Sequence, residues 1–210
     1  MLTVLDLSNK MGIVERKIRH KEETRASILE AAWQIVLTEG WQYLSIRKIA
    51  DAIEYSVPVI YNHFENKDSI LLEFTQEGFE KLSDVLILAR DQHIHPVDQL
   101  KAIGNAYWDF AFDHKEYYQL MFGLGIPACE TVKQISEMKS MTTILIGSIK
   151  DVISSGNNPE VDFFLKFHTY WSILHGLVSI QMIEKGSKPD AVKKLILDDA
   201  LTGFIKSLLD

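Results

Sequence analysis

The chain has 210 residues, 47% of them apolar and 24% charged, and its single cysteine, Cys129, excludes an internal disulfide and fits a reducing compartment such as the cytoplasm. No apolar run approaches the roughly 20 residues of a membrane span, so no membrane partner is expected. The net charge of −7 speaks against a polyanion partner until its distribution is followed: residues 71–210 carry 13 Lys/Arg against 19 Asp/Glu, whereas Lys10 to Arg25 holds six basic residues against three acidic ones.

Apolar residues recur at three-and-four spacing with few prolines or glycines to interrupt them, so the chain reads as all-α, with about nine helices. Residues 1–20 lack that periodicity and read as a loose basic arm. From about Glu22 to Thr38, Ile28, Ala31, Ala32, Ile35 and Val36 make one face, and Gly40 supplies a stop. Ser45 is a suitable N-cap for a second helix carrying Ile46, Ile49, Ala50 and Ile53. Ser56 is another for a third, with Pro58 tolerated in the first turn. Asn66 caps a fourth, Lys67 to about Asp91. Further helices are expected from Pro96 to His114, Lys115 to Phe122, about Thr131 to Ser155, Pro159 to about Glu184, and Asp190 to Leu209. "GLGIPAC", "SGNNP" and "KGSKPD" punctuate these last segments.

The stretch "SVPVIYNHFENKDSIL" carries the most specific information. A helix of two turns with two apolar anchors is not stable alone. Ile60 and Phe64, one turn apart, must face inward onto Ile35, Ile46, Ile49 and Ile53, which turns a phenol, an amide, an imidazole and a lysine outward. Two short helices joined by a four-residue turn form a helix-turn-helix, whose second helix lies in the major groove. Those donors suit phosphate oxygens and base edges.

From Thr24 to Phe74, "TRASILEAAWQIVLTEGWQYLSIRKIADAIEYSVPVIYNHFENKDSILLEF" resembles the DNA-binding domain of TetR-family transcriptional repressors. "AA..IV...G", "SIRKIA", "YNHF" and "NKDSIL" stand in the family's order. The resemblance implies a dimeric repressor of a double-stranded operator, released by a small ligand bound among the C-terminal helices. Carried over by residue, Arg47 contacts a base or phosphate and Lys48 neutralises phosphate. Val57, Pro58 and Asn62 approach bases, while Val59, Tyr61, His63 and Lys67 position the backbone. The family usually has glycine where Glu54 stands, so either Glu54 accepts a left-handed backbone or the turn differs. The resemblance divides the chain into the arm, a DNA-binding domain over residues 21–67, and an effector-binding and dimerisation domain over residues 68–210.

Beyond residue 70 the likeness is thinner, resting on "YYQLMFG" and "WSILHGLVSI". Independently of it, the last two helices carry more apolar residues than one core needs, Leu197, Leu201, Phe204, Ile205 and Leu208 on the final one, and suggest a four-helix homodimer interface. Aromatic and thioether surface suited to an apolar or planar effector comes from Tyr107, Trp108, Phe110, Tyr117, Tyr118, Met121, Phe122, Met138, Met141, Phe167 and Trp171. The histidines lack zinc spacing, and no catalytic order of Ser, His and Asp, no glycine-rich phosphate loop and no cofactor motif is present. Two rivals remain open: an architectural DNA-binding protein without a ligand, and an all-α enzyme or carrier with an N-terminal interaction module.

Overall fold

A computed structural model of the chain describes residues 4–123, 136–157, 160–183 and 191–210. Among the described residues all regular structure is helical, in nine α-helices and one 3-10 turn. They are α1 (Val4–Glu39), the turn Trp41–Tyr43, α2 (Ile46–Ala52), α3 (Val57–Tyr61), α4 (Lys67–Asp91), α5 (Pro96–Asp113), α6 (Lys115–Phe122), α7 (Ser136–Ser155), α8 (Phe163–Ile183) and α9 (Ala191–Leu209). The chain divides into two compact units, Met1–Leu71 and Leu72–Asp210.

In the first unit the expected loose arm is corrected, because α1 runs unbroken from Val4. An apolar stripe marks where a helix buries a face. Residues 14–23 are all exposed, so their helicity leaves no such stripe. Charged residues of good helix propensity extend an already nucleated helix at little cost. Gly40, at φ 95°, then turns the chain so that Trp41 buries edge-on against Trp33, with ring centroids 6.0 Å apart.

The caps follow the sequence at two of three places. Ser45 Oγ accepts from Lys48 N at 3.3 Å, and Asn66 Oδ1 accepts from Ser69 N at 2.9 Å. Ser56 occupies its N-cap position but makes no side-chain cap bond. Pro58 has no N–H to offer, and the N–H of Val59 donates to the backbone carbonyl of Ser56 at 2.9 Å. Between α2 and α3 Glu54 accepts the left-handed backbone, at φ 57°. Its N–H donates to Asp51 O at 3.3 Å and that of Tyr55 to Ala50 O at 2.9 Å. These are the two bonds of a Schellman C-cap, with glutamate in the glycine position.

In the second unit α5 packs against α6, α7, α8 and α9. Gly104 lets α5 approach closely: a Cβ there would lie 2.7 Å from Leu201 Cδ2 and 2.8 Å from the Tyr170 hydroxyl. That hydroxyl, fully buried, donates to Leu100 O at 2.7 Å. Ion pairs Lys101–Asp198 and Lys194–Asp109 join α5 to α9 at the surface. α8 begins at Phe163, with residues 160–162 not helical, and Asp162 Oδ1 accepts from the N–H groups of Phe164 and Leu165 at 2.9 and 3.2 Å; the expected start at Pro159 lies outside the described residues. The expected starts at Thr131 and Asp190, the end at Glu184, and Cys129 lie outside the described residues.

The interface residues expected on the final helix need correction. Leu197, Leu201, Phe204, Ile205 and Leu208 are all buried within this one chain. Their i, i+4 spacing identified a core-facing stripe, and spacing cannot say which core it faces. The large apolar side chains left in solvent are others: Phe164, Leu165 and Ile180 on α8, and Val192, Leu195 and Ile196 on α9.

Candidate functional site

Around α3, burial separates an inner from an outer side. Ile60 is fully sealed and Phe64 is 4% exposed, with the Arg25 guanidinium 5.0 Å over the Phe64 ring. Outward, Tyr61 is 53% exposed, Pro58 and Asn62 are exposed, and Val57 and Val59 are half-buried. On α2 Arg47 is exposed, whereas Lys48 is engaged: its Nζ lies 2.6 Å from Glu39 Oε2 and 5.4 Å from the Tyr43 ring centre. Lys67 Nζ donates to Trp41 O at 3.5 Å from the first turn of α4. Arg47, Pro58, Tyr61 and Asn62 thus stand exposed, while both lysines rest on the protein.

His63 differs from its neighbours. Its Nδ1 is sealed and without a hydrogen-bond partner among the described residues. Burial lowers its pKa, and the positive charges of Lys21 and Arg25, with His20, lower it further. The ring is therefore neutral at pH 7. A sealed lone pair costs less than a sealed N–H, which puts the proton on Nε2. The cations around it come from α1, so α1 brings basic groups beside the helix-turn-helix.

In the second unit the expected aromatic set splits. Phe122 is a hub: its ring centre lies 4.6 Å from Tyr118, 5.0 Å from His175, 5.7 Å from Phe79, 5.9 Å from Trp171 and 6.4 Å from Tyr107. Phe167 joins through Trp171 at 5.7 Å. Trp108 instead meets Phe112, and Phe110 meets His114, each one turn along α5. Met121 abuts the bare backbone of Gly78, where a Cβ would lie 2.7 Å from its Sδ. Met138 and Met141 stand on α7, the latter fully buried. Tyr117 lies under Lys81, whose Nζ is 5.8 Å from the ring centre.

Two members of this cluster escape sequence reasoning, Phe79 and His175. Phe79 sits in the helix expected from Lys67 to about Asp91, within which no residue beyond Lys67 is singled out. His175, beside Gly176, suits a packed or interfacial histidine, and no spacing signal ties it to a phenol 57 residues away. Yet Tyr118 OH lies 2.7 Å from His175 Nδ1, and 3.0 Å from Tyr107 OH. Burial raises the pKa of both phenols far above the usual value and lowers that of His175, so all three groups are neutral at pH 7. Among the described residues no cluster of His, Cys, Asp and Glu could hold a metal ion.

Comparison with known proteins follows the same division. Residues 28–74 match the family model for bacterial regulatory proteins of the tetR family. Residues 100–198 match the model for the tetracyclin repressor-like C-terminal domain. The HTH-type transcriptional activator FasR of Mycolicibacterium smegmatis is 26% identical over 163 residues, 77% of this chain and 70% of that protein. An HTH-type transcriptional regulator of Mycobacterium bovis is 23% identical over 138 residues, 65% of this chain and 58% of that protein. Among solved structures, the fatty acid degradation regulator FadR from Bacillus halodurans has a similar fold, with a TM-score of 0.66 at 22% identity, covering 85% of this chain and 98% of its own. With one model on the helix-turn-helix and the other on the C-terminal helices, this chain belongs to the TetR family and is a DNA-binding transcriptional regulator.

Proposed function

We propose that the protein acts in the cytoplasm as a homodimeric repressor, released from its operator by a small, largely apolar effector. The observation that carries the DNA side is the exposed row Pro58, Tyr61 and Asn62 on a helix whose opposite side, Ile60 and Phe64, is sealed. In this reading Asn62 meets adenine and Val57 or Pro58 a thymine methyl. Arg47, Val59, Tyr61, His63 and Lys67 hold phosphates, and Lys48 joins them on leaving Glu39. Arg16 to Arg25 on α1 supplies further cations. Two protomers join through the solvent-facing apolar side chains of α8 and α9, giving two recognition helices for half-sites about 34–36 Å apart. The aromatic cluster around Phe122 receives the effector, which releases DNA by binding more tightly to the form that does not fit the operator.

The test is fluorescence anisotropy over a salt series on an operator, selected from random duplexes, and on a scrambled duplex. Asn62→Ala should cost about 1–3 kcal/mol on the operator alone. Lys67→Ala should weaken both duplexes and reduce the salt slope by about one unit. Equal weakening of both duplexes by Asn62→Ala would make Asn62 a backbone contact and overturn the assignment.

A further inference from the structure

The three neutral polar groups inside the aromatic cluster constrain one another. Tyr107 OH lies 3.0 Å from Tyr118 OH, which lies 2.7 Å from His175 Nδ1. Each phenol owns one proton, and a neutral imidazole owns one, so three arrangements keep both hydrogen bonds. In the first, Tyr107 donates to Tyr118, Tyr118 donates to Nδ1, and the imidazole proton sits on Nε2. In the second, Nδ1–H donates to Tyr118, Tyr118 donates to Tyr107, and the Tyr107 proton is left over; in the third, Nδ1–H and Tyr107 both donate to Tyr118, and the Tyr118 proton is left over. Tyr107 is 2% exposed, and among the described residues its hydroxyl has no further acceptor. A sealed, unpaired O–H, on Tyr107 in the second arrangement and on the fully buried Tyr118 in the third, disfavours each by roughly tenfold or more. The first leaves only Nε2–H over. That atom has no hydrogen-bond partner among the described residues, and His175 itself is half-buried.

Building on the effector reading above, we infer that the cluster recognises an apolar molecule bearing an uncharged hydrogen-bond acceptor, a ketone- or ester-like oxygen, held by Nε2–H of His175. The ring cluster around Phe122 takes the apolar body, and Tyr107 and Tyr118 act as positioning residues that fix the imidazole tautomer. A carboxylate is disfavoured, because no Lys or Arg stands among the described members of the cluster and an unpaired charge there loses its hydration. A protonated amine is disfavoured because Nε2–H would meet a donor with a donor. Trp171, 5.9 Å from Phe122, places a fluorophore beside the site.

Two measurements on the full-length dimer test this. Nitrogen NMR at pH 7, with His175 assigned by difference from His175→Gln, should show a neutral ring protonated on Nε2. Tyr118→Phe should convert it to a mixture of tautomers. A proton on Nδ1, or an imidazolium, would overturn the inference whatever binds. Titration of naphthyl methyl ketone, its isostere isopropenylnaphthalene, and naphthoate, followed by Trp171 fluorescence, should rank the ketone about tenfold tighter than the alkene. Naphthoate should be the weakest. Tyr118→Phe should shrink the ketone preference over the alkene to within about threefold. Equal binding of ketone and alkene would overturn the acceptor assignment and leave the effector site standing. If none of the three perturbs Trp171, the effector site itself is overturned, and the inference with it.

Discussion

Replacing Glu54 by glycine should stabilise the first unit, and replacing it by alanine should not. Glu54 holds φ 57° between the two bonds of the α2 C-cap. That conformation costs any L-residue about 1–2 kcal/mol, and alanine retains the cost. Glycine escapes it but brings extra freedom to the unfolded chain, which takes back about 0.4–1 kcal/mol. The net expectation is glycine ahead of alanine by about 1 kcal/mol, a several-fold change in the ratio of closed to open states. The sign is the reverse of that at an ordinary helix interior, where alanine leads by a similar amount. Glu54→Gln removes the charge while keeping the strain, and should resemble alanine. Urea unfolding of the full-length variants gives the overall differences. Native-state hydrogen exchange at the amides of Glu54, Tyr55 and α2 localises them. A Glu54→Gly protein no more stable than Glu54→Ala would refute the view that the backbone is strained there.

Three further outcomes are expected. Phe64→Ala should cost about 3–5 kcal/mol, since the ring is buried under Arg25, whereas Tyr61→Phe should melt like wild type and lose operator affinity through one phosphate contact; paired melts and isotherms separate the two. Leu195→Glu, at a side chain 68% exposed, should give a folded monomer by sedimentation, whereas Leu201→Glu should unfold the chain, being buried in its own core. Burial lowers the pKa of His63 and His175, so the unfolded chain binds more protons than the folded one in the range just below the usual histidine value. Stability should therefore be full at about pH 7.5 and fall toward pH 5.5. Urea midpoints should show the fall, reduced in His63→Gln and His175→Gln; a rise in stability on acidification would contradict the burial of both rings.

Local chemistry was legible in the chain itself. Ser45 and Asn66 announce helix starts, and Ile60 and Phe64 declare the inner side of α3, because each depends on residues within a turn or two of one another; at Glu54 the sequence left a left-handed backbone and a different turn both open, and the structure shows the former. The same reach explains the errors. Residues 14–20 are helical without a buried face, so no periodicity betrays them, and Asp162 caps α8 because a carboxylate can satisfy two amides at once. What only the tertiary structure decided is which apolar stripe meets which neighbour. Leu201 and Leu195 stand on one helix with the same side chain, yet one is sealed against Gly104 and the other faces solvent. Likewise Tyr107, Tyr118 and His175 come from three helices, and their hydrogen bonds form only when packing brings them together and seals both phenols. Burial and long-range contact are properties of the packed chain, and a local pattern carries them only where one partner suffices to imply the other.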